Sequence, residues 1–197
     1  MNPIDRLMVP WQLSWSKMND HKLSKALSYY LRHAPHELEI TLLPGGWVEQ
    51  SDLLEALGKK SIQATLADLQ RVTRNSDKQR FALEGTRIRA NQGHSVPVDL
   101  ELQPQVPPEI LYHGTPRASL PSIFEHGLHK GQRHHVHLSP DPQTAIQVGE
   151  RRGEAVILSI QAAAMNAQGH LFYRSANGVW LTENVPARFL QALPPNF

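Results

Sequence analysis

An α+β fold in two parts is what the sequence predicts, on three observations. Apolar residues at helical spacing dominate residues 20–72 and are followed by a pair of short strands. A proline-rich stretch, "SVPVDLELQPQVPPE", comes next. Beyond it, apolar strand-like runs alternate with short helical segments to the end of the chain.

In the first part, "NDHKLSKALSYYLRHA" carries Leu23, Ala26, Leu27, Tyr30 and Ala34 on one helical stripe, with Asn19 or Asp20 as cap and Pro35 as the stop after His33. A short strand in "EITLL", a turn in "PGGW" and a helix in "QSDLLEAL" closed by Gly58 follow. A third helix is expected from about Ser61, on the spacing of Ile62, Leu66, Leu69 and Val72. "QRFAL" and "TRIRA" read as strands joined by a tight turn at Glu84 and Gly85. Helix, strand, helix, helix, hairpin is the order of a winged helix.

The second part reads as strands at "ILYHGT", "HVHLS", "AVILSIQ", "LFYR" and "VWLT", in a mixed sheet. Helices fit at "RASLPSIFEHG", with Gly127 as the stop, and at "PDPQTAIQVG". There is no internal repeat.

Composition narrows the function classes. The chain has 197 residues, enough for one domain or two small ones with a core each. With 15 prolines, 12 glycines and only 19% charged residues, a loop-rich globular protein is expected. A formal charge of +2 is compatible with a nucleic-acid partner without requiring one. Eleven histidines are more informative, because an adjacent anion can charge them. The absence of cysteine excludes disulfides, thiolate nucleophiles and cysteine-bound zinc. Residues 1–19 have apolar residues interrupted by Pro10, Gln12 and Lys17, unlike a signal peptide, and read as a variable leader. A cytoplasmic monomer with no membrane segment is expected.

Three strand ends and one helix end carry chemistry. In "RHHVHLS", strand alternation puts Arg133, His135, His137 and Ser139 on one face and His134, Val136 and Leu138 on the other. Only two histidines then share a face, Arg133 beside them repels a cation and no carboxylate adjoins them, so no metal site is assigned. In "LYHGT", His113 precedes Gly114, where a ligand can approach the backbone, and Thr115, which offers a hydroxyl and an amide. "ANGVWL" has a turn at Asn177 and Gly178 with Val179 beyond it, and serves equally as a hairpin corner. Arg32 and His33 end the first helix, where a cation also simply caps the dipole. Lys78 and Arg80 in "SDKQRF" read equally well as solvated charge.

Taken together, "LSKALSYYLRHAP", "GGWV", "SDKQRF", "IRANQGHS", "LYHGT", "RHHVHLS" and "NGVWL" resemble, in order, the motifs of the RNA 2′-phosphotransferases, from about Leu23 to Leu190. Those enzymes use NAD to remove the 2′-phosphate left at a spliced tRNA junction. The resemblance implies that residues 20–95 form a winged-helix RNA-binding domain, 96–108 a linker and 109–197 a mixed-sheet NAD-binding domain like that of the ADP-ribosyltransferases. It implies NAD as a co-substrate and 2′-phosphorylated RNA as the partner. The RNA phosphate displaces nicotinamide from the ribose; the ribose 2″-hydroxyl then attacks phosphorus. The products are RNA with a 2′-hydroxyl, nicotinamide and ADP-ribose 1″,2″-cyclic phosphate. By the same resemblance Arg32, His33, Arg80 and Arg133 are catalytic. His113, Gly114, Thr115, His137, Ser139, Asn177, Gly178 and Val179 hold NAD, with His113, His137 and Val179 as the triad of that fold. Lys78, Gln92, His94 and Ser95 contact RNA. Two other classes stay open at this point: a transferase that leaves ADP-ribose on its acceptor, and a non-enzymatic winged-helix nucleic-acid binder.

Overall fold

The computed structural model describes residues 19–76, 78–149 and 155–194; the expected leader lies outside them but for Asn19. The first helix, α1, runs Asp20–Arg32, with the Asn19 side chain accepting from the His21 amide. It buries Leu23, Leu27 and Leu31 and so follows the stripe read from the sequence. The next segment departs from expectation. Residues of "EITLL" form no strand: Pro35–Leu38 make a 3-10 turn, Glu39 sits in the left-handed region, and only Leu43 bridges to Trp47. The strand lies just beyond, as β1 (Trp47–Glu49), after two glycines of positive φ, Gly45 and Gly46, have turned the chain.

Helix α2 (Gln50–Lys59) continues through Gly58 instead of stopping there. Helix α3 spans Leu66–Arg74 and starts later than expected. Ser61, in the left-handed region, cannot open it; Thr65 and Asp68 form a reciprocal capping box that does. Arg71 then grips Asp20 through two nitrogens, at 2.8 and 2.9 Å, and ties α3 to the start of α1. Strands β2 (Phe81–Glu84) and β3 (Arg87–Ala90) pair as the expected hairpin, and β1 adds to β3, giving the antiparallel order β1-β3-β2. Arg87 and Arg89 lie over the Trp47 ring. Leu23, Leu27, Leu53, Leu57, Leu69 and Ile88 form the middle of this core, each with no exposed surface.

The proline-rich segment is not a bare tether. Leu100 is buried, Pro104 bridges to Tyr173, and the Gln105 amide donates to the Phe172 carbonyl. Beyond it come β4 (Ile110–Pro116), α4 (Leu120–His126), β5 (Leu128–His129), β6 (Val136–Leu138) and α5 (Pro142–Gly149). The chain ends in β7 (Ala155–Gln161), α6 (Ala162–Ala167), β8 (Phe172–Arg174), β9 (Trp180–Thr182), β10 (Asn184–Val185) and β11 (Leu190–Ala192). Instead of one mixed sheet there are small antiparallel ones: β11-β7-β4, β6-β9-β8 and the pair β10-β5. Two backbone bonds between Tyr112 and Ser139 stitch β4 to the end of β6. A second core, around Leu111, Leu138, Leu158, Ile160 and Phe172, fills the space between them. Among the described residues no helix is long and apolar enough to cross a membrane.

Candidate active site

The cationic residues of the first part converge at the C-terminal end of α1. Arg32 is the last residue of that helix, and its Nη2 donates to the Arg80 carbonyl at 3.4 Å. Gly93, at φ +88°, passes beside the guanidinium in a backbone conformation that favours glycine. Arg80 stands just before β2, and its Nη1 donates to Ser76 Oγ at 3.4 Å. Asn91 holds that entry from the other side: its amide donates to the Arg80 carbonyl and its Nδ2 to Gln79 O. His33 lies one residue past α1, with Nδ1 2.9 Å from Ser95 Oγ, while the Ser95 amide donates to Arg32 O.

The second part brings Arg133 to the same place. Arg133 Nη1 donates to His137 Nδ1 at 3.3 Å, which leaves the His137 proton on Nε2. His113 Nδ1 donates to the His137 carbonyl at 2.9 Å, so its Nε2 is an acceptor. Burial first, then the charges of Arg80 and Arg133, lower the Arg32 pKa to about 10, so Arg32 remains cationic at neutral pH and feels the other two guanidinium groups. Among the described residues neither Arg32 nor Arg80 has a carboxylate partner. Like charges held together without carboxylates are costly unless an anion completes them. Burial, followed by Arg133, brings His137 down to about 3, and burial also lowers His113 and His33. These imidazoles are therefore neutral near pH 7.

Several residues lie elsewhere than the sequence reading puts them. The alternation through "RHHVHLS" fails before Val136, because residues 133–135 are irregular and only Val136–Leu138 are strand. His134 and His135 instead face a row of rings described below. His94 is not available to RNA: it has no exposed surface and both ring nitrogens are buried without a partner. Burial and the charge of Arg32 hold it neutral, at about 3. Its carbonyl accepts from the His134 amide and so joins the two parts of the chain.

Gly114 has a packing reason to be small: a β-carbon there would overlap the Ala145 carbonyl of α5. Thr115 is buried, 4% exposed, within β4. The Asn177 side chain is already committed, its Oδ1 accepting from Ser175 Oγ and its Nδ2 donating to Lys78 O. Gly178, at φ +81°, and Val179 form the β8–β9 turn, with the Ser175 amide donating to Val179 O. Ser139 is fixed by its backbone to Tyr112; Lys78 is exposed and Gln92 half-buried. Asn91 and Ser76, which shape the Arg80 entry, were not singled out in the sequence; Asn91 stands inside "IRANQGHS" and only its burial, 7% exposed, reveals a structural task.

A cavity of about 410 Å³ lies elsewhere, between residues 38–43 and α2. Its lining of Glu39, Glu49, Asp52 and Glu55 suits no anion. No group of three His, Asp or Glu side chains among the described residues is arranged to hold a metal.

Three neighbouring guanidinium groups, backed by neutral imidazoles in an α+β fold, suit the binding of a phosphate. Comparison with known proteins gives the family: residues 18–184 match the model of the RNA 2′-phosphotransferase, Tpt1 / KptA family, and the chain belongs to it. It is 53% identical over 174 residues to a "Probable RNA 2′-phosphotransferase" of Nostoc punctiforme, covering 87% of this chain and 96% of that one. A protein with the same description from Streptomyces coelicolor is 50% identical over 175 residues, covering 89% of this chain and 96% of that one. Another, from Burkholderia lata, is 49% identical over 175 residues, with 87% and 90% covered.

Proposed function

We propose that the protein removes an internal 2′-phosphate from RNA and transfers it to NAD, with the first part acting as a winged-helix RNA-binding domain and the second as an ADP-ribosyltransferase-like domain. The observation that carries the reading is the convergence of Arg32 and Arg80 from one part with Arg133 from the other, without carboxylate partners for the first two. A 2′-phosphate is a dianion already able to attack, so the site has no need to make a nucleophile; it has to hold one in line. Arg32 and Arg80 grip the phosphate oxygens, with His33 oriented through Ser95 beside them. Arg133 bears the charge that grows when phosphorus is attacked.

The imidazole pair supports a sugar on the other side of the cleft. His137 Nε2 is a buried donor without a partner and His113 Nε2 is an acceptor. One donor and one acceptor suit the hydroxyls of the NAD ribose. In the first step the bond from the ribose to nicotinamide breaks as the phosphate oxygen bonds to the anomeric carbon, giving an ADP-ribosylated RNA phosphate. In the second, the 2″-hydroxyl attacks phosphorus and its proton leaves on the RNA 2′-oxygen. RNA and ADP-ribose 1″,2″-cyclic phosphate result, with no water consumed. The test is nicotinamide release measured with 2′-phosphorylated and unphosphorylated RNA of one sequence. Release that requires the 2′-phosphate is expected; equal release with both would overturn the reading.

A further inference from the structure

We propose that a notch between the proline-rich segment and the loop following Arg133 is a subsite for one nucleobase of the RNA, that of a nucleotide flanking the phosphorylated one. The proposal rests on the reading of the site as one for RNA 2′-phosphate. The notch has a volume of about 180 Å³ and is lined by Asp99, Leu100, Leu102, His134, His135 and Tyr173. Pockets for drug-sized ligands start near roughly 300 Å³, so this one admits a single flat ring system and excludes a whole nucleotide pair.

One of its walls is a row of rings, and Val98, Leu100 and Leu102 form the aliphatic remainder. Tyr173 and His135 have centroids 5.4 Å apart, His135 and His134 6.5 Å, and His134 and His94 6.2 Å. The row leads from the notch to His94, whose neutral imidazole lies close enough to Arg32 to feel its charge. It therefore begins beside the phosphate cradle and ends where an adjacent nucleotide of a bound strand would arrive. Single-stranded RNA is recognised in this way, by unstacked bases lying on Tyr or His rings. Burial lowers the His135 pKa, which leaves a neutral ring suited to stacking.

Asp99 decides which part of the nucleotide enters. A carboxylate at the notch repels the phosphodiester and admits the base. Its Oδ1 accepts from the Glu101 amide at 2.8 Å, and its second oxygen remains an acceptor for an exocyclic amine. The walls are also fixed in advance. Pro104 bridges Tyr173, the Gln105 amide bonds Phe172 O, and the His134 amide bonds His94 O. A preorganised slot loses little entropy on accepting a base.

The test measures binding of a trinucleotide with a central 2′-phosphate, against versions lacking the base at either flank and a version lacking the 2′-phosphate. Removing the base that occupies the notch is expected to weaken binding roughly fivefold to a hundredfold, the range of base–aromatic stacking. Tyr173→Ala should cause a similar loss with the complete trinucleotide and none with the abasic one, while Tyr173→Phe binds as the wild type. Phosphate-dependent binding that ignores both flanking bases overturns the notch alone, as does a Tyr173→Ala that weakens NAD instead of RNA. Equal binding with and without the 2′-phosphate overturns the reading of the site, and the notch with it.

Discussion

Gly114→Ala is a small change with a large expected effect. Gly114 lies in β4 opposite α5, and a β-carbon there would overlap the Ala145 carbonyl and stand 3.0 Å from the Gly149 amide nitrogen. Both obstacles are backbone, so no side chain can swing aside. Carbon atoms pack at about 3.5–4.0 Å, so α5 or β4 has to shift by about 1 Å or more. Overfilling a fitted core costs about 1–3 kcal/mol, and the lost freedom of the unfolded glycine returns at most about 1. A net loss of about 1–2 kcal/mol lowers the melting temperature by about 2–8 °C in a chain of this size. The neighbouring residue is His113, whose Nδ1 bonds the His137 carbonyl. Misplacing such a group by ~1 Å costs about a hundredfold in rate. Thermal melting and nicotinamide release on the same variant give both numbers. A variant within about 1 °C of the parent and within about twofold in rate would refute the packing argument.

Four further outcomes follow from the same geometry. Arg133→Ala is expected to slow only the second step, by about a hundred- to thousandfold, so that ADP-ribosylated RNA phosphate accumulates in a single turnover; Arg133→Lys should recover part of the rate. Equal slowing of nicotinamide release, with no intermediate, would make Arg133 another docking residue. Ser95→Ala removes the hydroxyl bonded to His33 Nδ1 and should lower turnover by about fivefold to tenfold at unchanged melting temperature; an unchanged rate argues against that orientation. Asn177→Asp sets an oxygen against Lys78 O in place of a donor, and should reduce turnover while a titration with NAD alone is unaffected; weaker NAD binding would return Asn177 to the ligand. Stability should also fall on acidification. His94 and His137 are held neutral to about 3, against an ordinary value of 6.5, so the unfolded chain binds the protons. Their contribution is complete above about pH 6.5 and is lost as pH falls toward 3, by up to about 1.4 kcal/mol per unit for each histidine. Urea unfolding at pH 7.5 and pH 5 measures this, and equal stabilities would contradict the burial of both.

Where local pattern determined structure, the sequence was legible. Leu23, Leu27 and Leu31 repeat along one face of α1, and Asn19 caps it. The hairpin of β2 and β3 turns at Gly85 as its residues demand. Where a competing local device won, the reading slipped: the Thr65–Asp68 capping box overrode Ser61, and the Gly45–Gly46 turn moved the strand from "EITLL" to Trp47. Strands of two or three residues, β5, β10 and β11, are too short to show alternation and exist through their partners.

The site shows the same division. Arg32 and His33 were visible only as a helix end, since what makes Arg32 part of a cradle is a carbonyl 48 residues away. The bond of Asn177 to Lys78 was invisible in the sequence because it spans 99 residues. Gly114 looked permissive toward a ligand, although the helix that requires it follows some thirty residues later, at Ala145. The motifs gave these residues a family resemblance before geometry gave them reasons.

The most direct measurement follows the phosphorus. RNA carrying a radiolabelled internal 2′-phosphate is incubated with the protein and NAD, and the labelled products are separated. The account predicts that the label leaves RNA with a free 2′-hydroxyl and appears in ADP-ribose 1″,2″-cyclic phosphate, in step with nicotinamide. Label released as inorganic phosphate without NAD, or retained on RNA under a stable ADP-ribose, would contradict it.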